Sequence, residues 1–348
     1  MKTVLHNIQG LRGIAVLLVV ALHLYGAENK YSPDQLLPDL FVLGNAGVDI
    51  FFVISGFIMV TTTQASGTGP SLAARFLFLR GSRIYPLYWI VTLGLLAIAQ
   101  LFPGITTPLS ADPVFLLKSF LLYPQDNLPL LMVGWTLIHE IYFYLVFTLL
   151  LLLPAILRPT LLLLWAVFVL YSARLAEPAT AEANLVGHPL TLEFIAGCFL
   201  GLLAPRCRPT YPRLLFTCGC VLLAGSWWYW QLHHPVDPLP LGMDRVLCFL
   251  PGAWLMTWGC VAMDQHGQRP LRWLEGTGDA SYSIYLTHVL FLAAILKGWQ
   301  FLPWRDTLLD NLLLVPAVAA VTLAGGTWCY RLVEKPLLRS MRRLAKAG

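Results

Sequence analysis

Arg12 and His23 are ionisable residues in an otherwise almost wholly apolar run near the start of the chain. Their spacing amounts to about three helical turns, so as a helix they share one face, about 16 Å apart along its axis. An ionisable group inside such a run is expensive and marks function by default. One face then carries a fixed cation at one end and a titratable imidazole at the other. The structural alternative is an arginine that snorkels to the interface and a histidine that packs a bundle.

Further polar residues interrupt later apolar runs. Asp49 stands in Gly47-Val-Asp-Ile-Phe-Phe-Val-Ile-Ser-Gly-Phe57, and Glu140 in Gly134-Trp135-Thr-Leu-Ile-His-Glu140-Ile-Tyr-Phe-Tyr144. Thr136, Glu140 and Tyr144 share a helical face by their four-residue spacing. Glu193 lies near one end of a later run. With the topology read below, His23, Asp49, Glu140 and Glu193 are expected at similar depth on the outer side. A histidine facing carboxylates in a low-dielectric site suits general-base work, and a polar network that pins a bundle together is the alternative.

The other face of the membrane carries different chemistry. Arg80 and Arg83 have Arg-x-x-Arg spacing, followed by Tyr85-Pro86-Leu-Tyr88-Trp89. Paired guanidinium groups suit phosphate oxygens, and equally they suit the ordinary basic anchoring of a cytoplasmic end. Ser281-Tyr-Ser283-Ile-Tyr285-Leu-Thr287-His288 predicts a polar helical stripe in the inner half, with His288 either lining a donor path or buttressing a helix contact.

These residues must be positioned by membrane helices. The chain is 57% hydrophobic and 12% charged, against about 45–50% and about 25% for soluble domains. Apolar runs long enough to cross a hydrocarbon core of about 30 Å predict an all-α, polytopic bundle of about ten helices, near 8–25, 42–62, 85–102, 134–153, 160–176, 189–204, 213–231, 245–262, 283–301 and 311–330. The first run contains Arg12 and His23, lacks a small-residue cleavage site and precedes another span, so it is not a cleaved signal.

Basic residues crowd alternate connections, among them Arg75, Arg80, Arg83, Arg206, Arg208, Arg213, Arg339, Arg342 and Arg343. This places both termini in the cytoplasm. The same bias accounts for the net charge of +5, which therefore gives no argument for nucleic acid. The seven cysteines form no CxxC pair and join no histidine at metal-ligand spacing, so they read as small hydrophobes and no metal is expected.

The proline-rich stretch 103–133, with its apolar run Val114 to Tyr123, predicts a lid or short re-entrant helix. The connection 64–84 predicts an interfacial helix, and Glu334-Lys335-Pro336 a helix stop. No internal repeat is visible, and residues 1–348 read as a single membrane domain without a fused soluble domain.

Taken together, Arg12 with His23, the Gly47–Phe57 block, Arg80-Gly-Ser-Arg83 with Ile-Tyr-Pro-Leu-Tyr-Trp89, Gly134-Trp-Thr to Glu140 with Phe143-Tyr144, and Ser283–His288 resemble the integral-membrane acyltransferase-3 family of bacterial O-acyltransferases. The second and fourth spans look most like exopolysaccharide acetyltransferases of the succinoglycan type. The resemblance implies a ten-helix fold in the bacterial inner membrane and transfer of an acetyl or similar group from cytoplasmic acyl-CoA to a carbohydrate hydroxyl. It implies His23 as catalytic residue, with Glu140 and Asp49 as its partners, and Arg12, Arg80 and Arg83 on the acetyl-CoA side, to which the polar stripe adds His288 as a candidate. Glu193, Tyr144 and Trp135 are then expected to bind a saccharide acceptor, polymeric, lipid-linked or smaller.

Some relatives carry a fused periplasmic hydrolase-like domain. This chain is expected to lack one and to complete transfer within the membrane domain or with a separate partner. The rival reading is a proton-coupled transporter or flippase for a lipid-linked saccharide, against which the missing inverted repeat counts. The chain does not reveal its oligomeric state.

Overall fold

The computed structural model describes residues 5–31, 37–64, 67–101, 112–174, 180–234, 241–299 and 308–347. All regular structure among them is helical: α1 (His6–Tyr31), α2 (Ala46–Thr63), α3 (Pro70–Leu101), α4 (Pro113–Leu121), α5 (Gly134–Leu152), α6 (Arg158–Ser172), α7 (Ala181–Gly187), α8 (Thr191–Leu203), α9 (Pro212–His233), α10 (Met243–Gln265), α11 (Arg272–Asp279), α12 (Ser281–Trp299), α13 (Leu308–Cys329) and α14 (Lys335–Ala347). Eight helical stretches among the described residues are long and apolar enough to cross a membrane. Helices suit that solvent because each satisfies its own backbone polar groups. Exposed Leu93, Leu149, Leu163, Leu164 and Leu247 stud their outer surfaces, an exterior that fits lipid rather than water.

The runs expected at 213–231 and 311–330 correspond to α9 and α13, each 22 residues long, but neither is among the eight. In α9 the closing Trp227-Trp228-Tyr229-Trp230 dilutes the hydropathy with aromatic residues that belong at a membrane interface. Residues 103–111 of the proline-rich stretch, Lys2 and Arg305 lie outside the described residues.

The chain divides into two compact units. The first comprises Met1–Phe51, Cys207–Pro238 and Cys248–Glu334, and the second Phe52–Arg206, Leu239–Leu247 and Lys335–Gly348. In the first, α1 packs against α11, α12 and the 3-10 turn Asp39–Asn45. Its start is pinned by the Asp264 carboxylate, which accepts from the Asn7 backbone N–H at 2.9 Å and from its amide Nδ2 at 2.8 Å. An anion there answers the unpaired N–H groups of the first turn. His6 adds a 2.5 Å contact from Nδ1 to Glu275. The crossing of α1 and α11 is set by two facing glycines. A Cβ on Gly278 would stand 1.8 Å from the Gln9 carbonyl oxygen, and one on Gly13 would stand 2.4 Å from that of Leu274. Small residues let helix backbones touch.

The second unit repeats the device where α2 meets α8. A Cβ on Gly56 would lie 1.9 Å from the Phe194 carbonyl oxygen, and one on Gly197 would lie 2.0 Å from that of Val53. Gly56 therefore serves close packing. Around it Phe52 and Phe143 stack on Phe194, each with ring centroids 4.4 Å apart.

Two connections differ from expectation. The stretch 75–83 is not a separate interfacial helix: it continues through Pro86 into α3, 32 residues in all. Proline costs one backbone hydrogen bond, a loss that packed membrane helices absorb. Glu334-Lys335-Pro336 does not stop the helix either. A π-helical turn, Tyr330–Glu334, joins α13 to α14, and its wider winding accommodates the proline that follows.

Candidate active site

The first unit brings Arg12, His23 and His288 onto two adjacent helices. α12 begins level with Arg12, whose Nη2 donates to the Ser281 hydroxyl at 2.8 Å while Nη1 donates to Gln9 Oε1 at 3.0 Å. Farther along, the rings of His23 and His288 meet edge to face, with centroids 4.7 Å apart at 77°. The polar stripe of α12 was expected in the inner half, away from His23. His288 reaches it because it stands two turns beyond Ser281, a climb of about 10 Å.

The hydrogen bonds of the two rings define their tautomers. His23 Nδ1 lies 2.9 Å from the Val19 carbonyl, and His288 Nδ1 lies 2.6 Å from that of Tyr285. A carbonyl only accepts, so Nδ1 carries the hydrogen in both neutral rings and Nε2 keeps its lone pair. His23 is half-buried and therefore reachable. His288 is fully buried, and its Nε2 has no hydrogen-bond partner among the described residues. Buried polar atoms normally find partners, so an orphan calls for an explanation. No carboxylate hydrogen-bonds to His23 among the described residues.

The same unit holds a buried carboxylate that sequence reading took for part of a helix stop. Glu334 is 2% exposed, and its Oε2 accepts from the Ser283 hydroxyl at 2.5 Å. Ser283 shares α12 with His288. Glu334 looked like part of a surface stop because Lys335 and Pro336 follow it. The available signal was the alternation of Ser281, Ser283 and Thr287, a polar stripe that needed a partner.

The second unit gathers Glu140, Tyr144, Ser55, Arg80 and Arg83. Glu140 Oε1 accepts from Ser55 Oγ at 3.0 Å and from the Tyr144 hydroxyl one turn later on α5. The Arg80 guanidinium lies over the Tyr144 ring, 5.8 Å from its centroid, and over Phe76 at 5.5 Å, and it donates to Thr62 Oγ1 at 3.2 Å. Arg83 adds its charge beside Arg80 and Tyr144. It is half-buried, and no group accepts a hydrogen bond from it among the described residues. Adjacent guanidinium groups have the donor geometry that suits phosphate oxygens.

Trp135 meets His139 edge-on at 5.9 Å, and His139 meets His188 at 4.6 Å, a second histidine pair that sequence reading did not single out. Glu193 in the first turn of α8 and Asp49 in α2 are both fully buried.

The tyrosines and tryptophan after Arg83 hold α4. Its last carbonyls, at Ser119, Phe120 and Leu121, accept from Tyr88 Oη at 2.7 Å, Trp89 Nε1 at 2.9 Å and Tyr85 Oη at 2.9 Å. Carbonyls at a helix end have no partner within the helix, and here α3 supplies three. The expected short helix in the proline-rich stretch is therefore a strap tied to the helix that bears Arg80 and Arg83.

Known proteins are similar to this chain over most of its length. The Acyl_transf_3 family model, described as an acyltransferase domain, matches residues 5–331. The exopolysaccharide production protein ExoZ of Rhizobium meliloti (strain 1021) is 33% identical over 326 residues, covering 88% of this chain and 94% of that protein. The acyltransferase MdmB of Streptomyces mycarofaciens is 25% identical, over 97% of this chain and 93% of its own. No solved structure matches the chain.

Proposed function

The chain belongs to the Acyl_transf_3 family and is an acyltransferase, and from that premise we propose that it moves an acetyl group from cytoplasmic acetyl-CoA to a carbohydrate hydroxyl. The acceptor is an exopolysaccharide or its lipid-linked precursor, a reading supported by the likeness to a protein of exopolysaccharide production. The enzyme works in a bacterial inner membrane, with ten spans and both termini in the cytoplasm.

The observation that carries this reading is the His23–His288 pair, with each Nδ1 committed to a backbone carbonyl and each Nε2 lone pair available. His23 takes the proton of the sugar hydroxyl as its oxygen attacks the thioester carbonyl. The C–O bond forms, the C–S bond breaks, and the leaving CoA thiolate takes up a proton. In the covalent variant, His23 Nε2 is acetylated first and passes the group to the hydroxyl. His288 lies beside His23 on the path of the donor arm, where its buried Nε2 accepts a hydrogen bond from bound donor or a proton relayed from His23.

Arg80 and Arg83 hold the phosphates of CoA, and Arg12 supports the arm along α1. Glu140, braced by Ser55 and Tyr144, fixes the electrostatics around Arg80. Asp49 assists the base, while Glu193, Tyr144 and Trp135 contact the acceptor. Measuring free CoA thiol released by purified protein, with and without added polysaccharide repeat units, tests the reading. Acceptor-dependent release is expected. A protein that binds the saccharide and releases no CoA with any acceptor would overturn it in favour of transport.

A further inference from the structure

A cavity of about 600 Å³ in the second unit plays no part in the acyl-transfer reading. Val60 of α2, Phe147 of α5, Leu162 of α6, and Phe199 and Leu203 of α8 give it an apolar wall. Two cations line it as well, Arg158 at the first position of α6 and Arg206 just past the end of α8. Arg158 is 8% exposed. Its Nη2 donates to the Gly67 carbonyl at 2.8 Å, and its Nε is buried with no hydrogen-bond partner among the described residues. Arg206 spends Nη1 on the Leu202 carbonyl at 2.8 Å and keeps its other donors. Among the described residues, neither Asp nor Glu lines the cavity.

A buried guanidinium donor without an acceptor is costly. The volume falls in the range of about 300–1,000 Å³ typical of ligand pockets. A ligand that suits this cavity has an apolar chain for the wall and an anionic head whose oxygens take the free donors of both arginines. Basic pockets between membrane helices bind anionic lipid head groups on these grounds. We propose that the cavity is a site for an anionic bilayer phospholipid, its acyl chain along α5, α6 and α8 and its phosphate on Arg158 and Arg206. This is independent of the acyl-transfer reading, and transfer activity is not its readout.

The test uses the full chain purified in detergent and phosphatidylglycerol bearing a photoreactive diazirine in one acyl chain, with crosslinks mapped by mass spectrometry. Labelling is expected on peptides containing Phe147, Leu162 or Phe199. Unlabelled phosphatidylglycerol should compete at least about tenfold better than phosphatidylcholine. Because Arg158 also braces Gly67, Arg206→Gln is the charge variant of choice, and Leu203→Trp fills the cavity while leaving both charges in place. Each should cut labelling about tenfold in protein that elutes as wild type does. Undiminished labelling in both variants, labelling elsewhere only, equal competition by phosphatidylcholine, or preferential competition by acetyl-CoA or a polyprenyl phosphate would overturn the proposal.

Discussion

Val19 takes the Nδ1 hydrogen of His23 and so leaves Nε2 as the ring's only lone pair. His23→Ala should therefore abolish transfer, with a loss of at least about a hundredfold for a general base and full membrane insertion, checked by activity per unit of purified protein. His288→Ala should lower the rate about tenfold to a hundredfold, because the edge-on contact that orients His23 goes with it. If Arg83 holds the CoA phosphates as proposed, Arg83→Ala should raise KM for acetyl-CoA about tenfold while kcat changes little. Initial-rate kinetics over a range of acetyl-CoA concentrations separates the two parameters.

Arg12, His23 and Glu140 stood out in the sequence as candidate site residues because an ionisable side chain in an apolar run has few bland explanations. The meeting of His23 with His288 was not legible. It depends on the level at which α12 starts against α1, which no local pattern encodes. Glu334 was masked by its neighbours Lys335 and Pro336, and only the fold reveals its burial.

At the scale of elements, reciprocal glycines decide how closely the helices approach. Gly56→Leu would drive a side chain into the Phe194 carbonyl, and Gly278→Leu another into that of Gln9. Either should lower the thermal midpoint of the purified protein by several degrees, since overpacking costs about 1–3 kcal/mol or more. Gly276→Ala, where a Cβ would meet nothing within 4 Å, should leave it nearly unchanged. Gly47 and Gly56 both stand in the Gly47–Phe57 block, but the backbones they meet, at Ala15 in α1 and at Phe194 in α8, come from distant sequence.

The strap α4 makes a separate prediction. Tyr88→Phe removes the donor to the Ser119 carbonyl, so the 113–121 segment should become more susceptible to limited proteolysis while the rest of the chain resists as before. Helix α3 shows why boundaries were harder to read than existence. Its basic first half and apolar second half looked like two elements joined at Pro86, yet one helix carries both.

For the whole molecule, the apolar composition and recurrent long runs already implied a helical membrane protein, and the described helices bear this out. The family match over residues 5–331 and the 33% identity to a protein of exopolysaccharide production place acyl transfer at its centre. The central claim is that His23 drives transfer of an acetyl group from CoA to a carbohydrate. The most direct test incubates purified wild-type and His23→Ala protein with acetyl-CoA radiolabelled in the acetyl group and exopolysaccharide repeat units. The account predicts label on the saccharide with wild type and none above background with the variant. A fully active His23→Ala protein would contradict it, as would wild-type protein that labels no acceptor while still binding it.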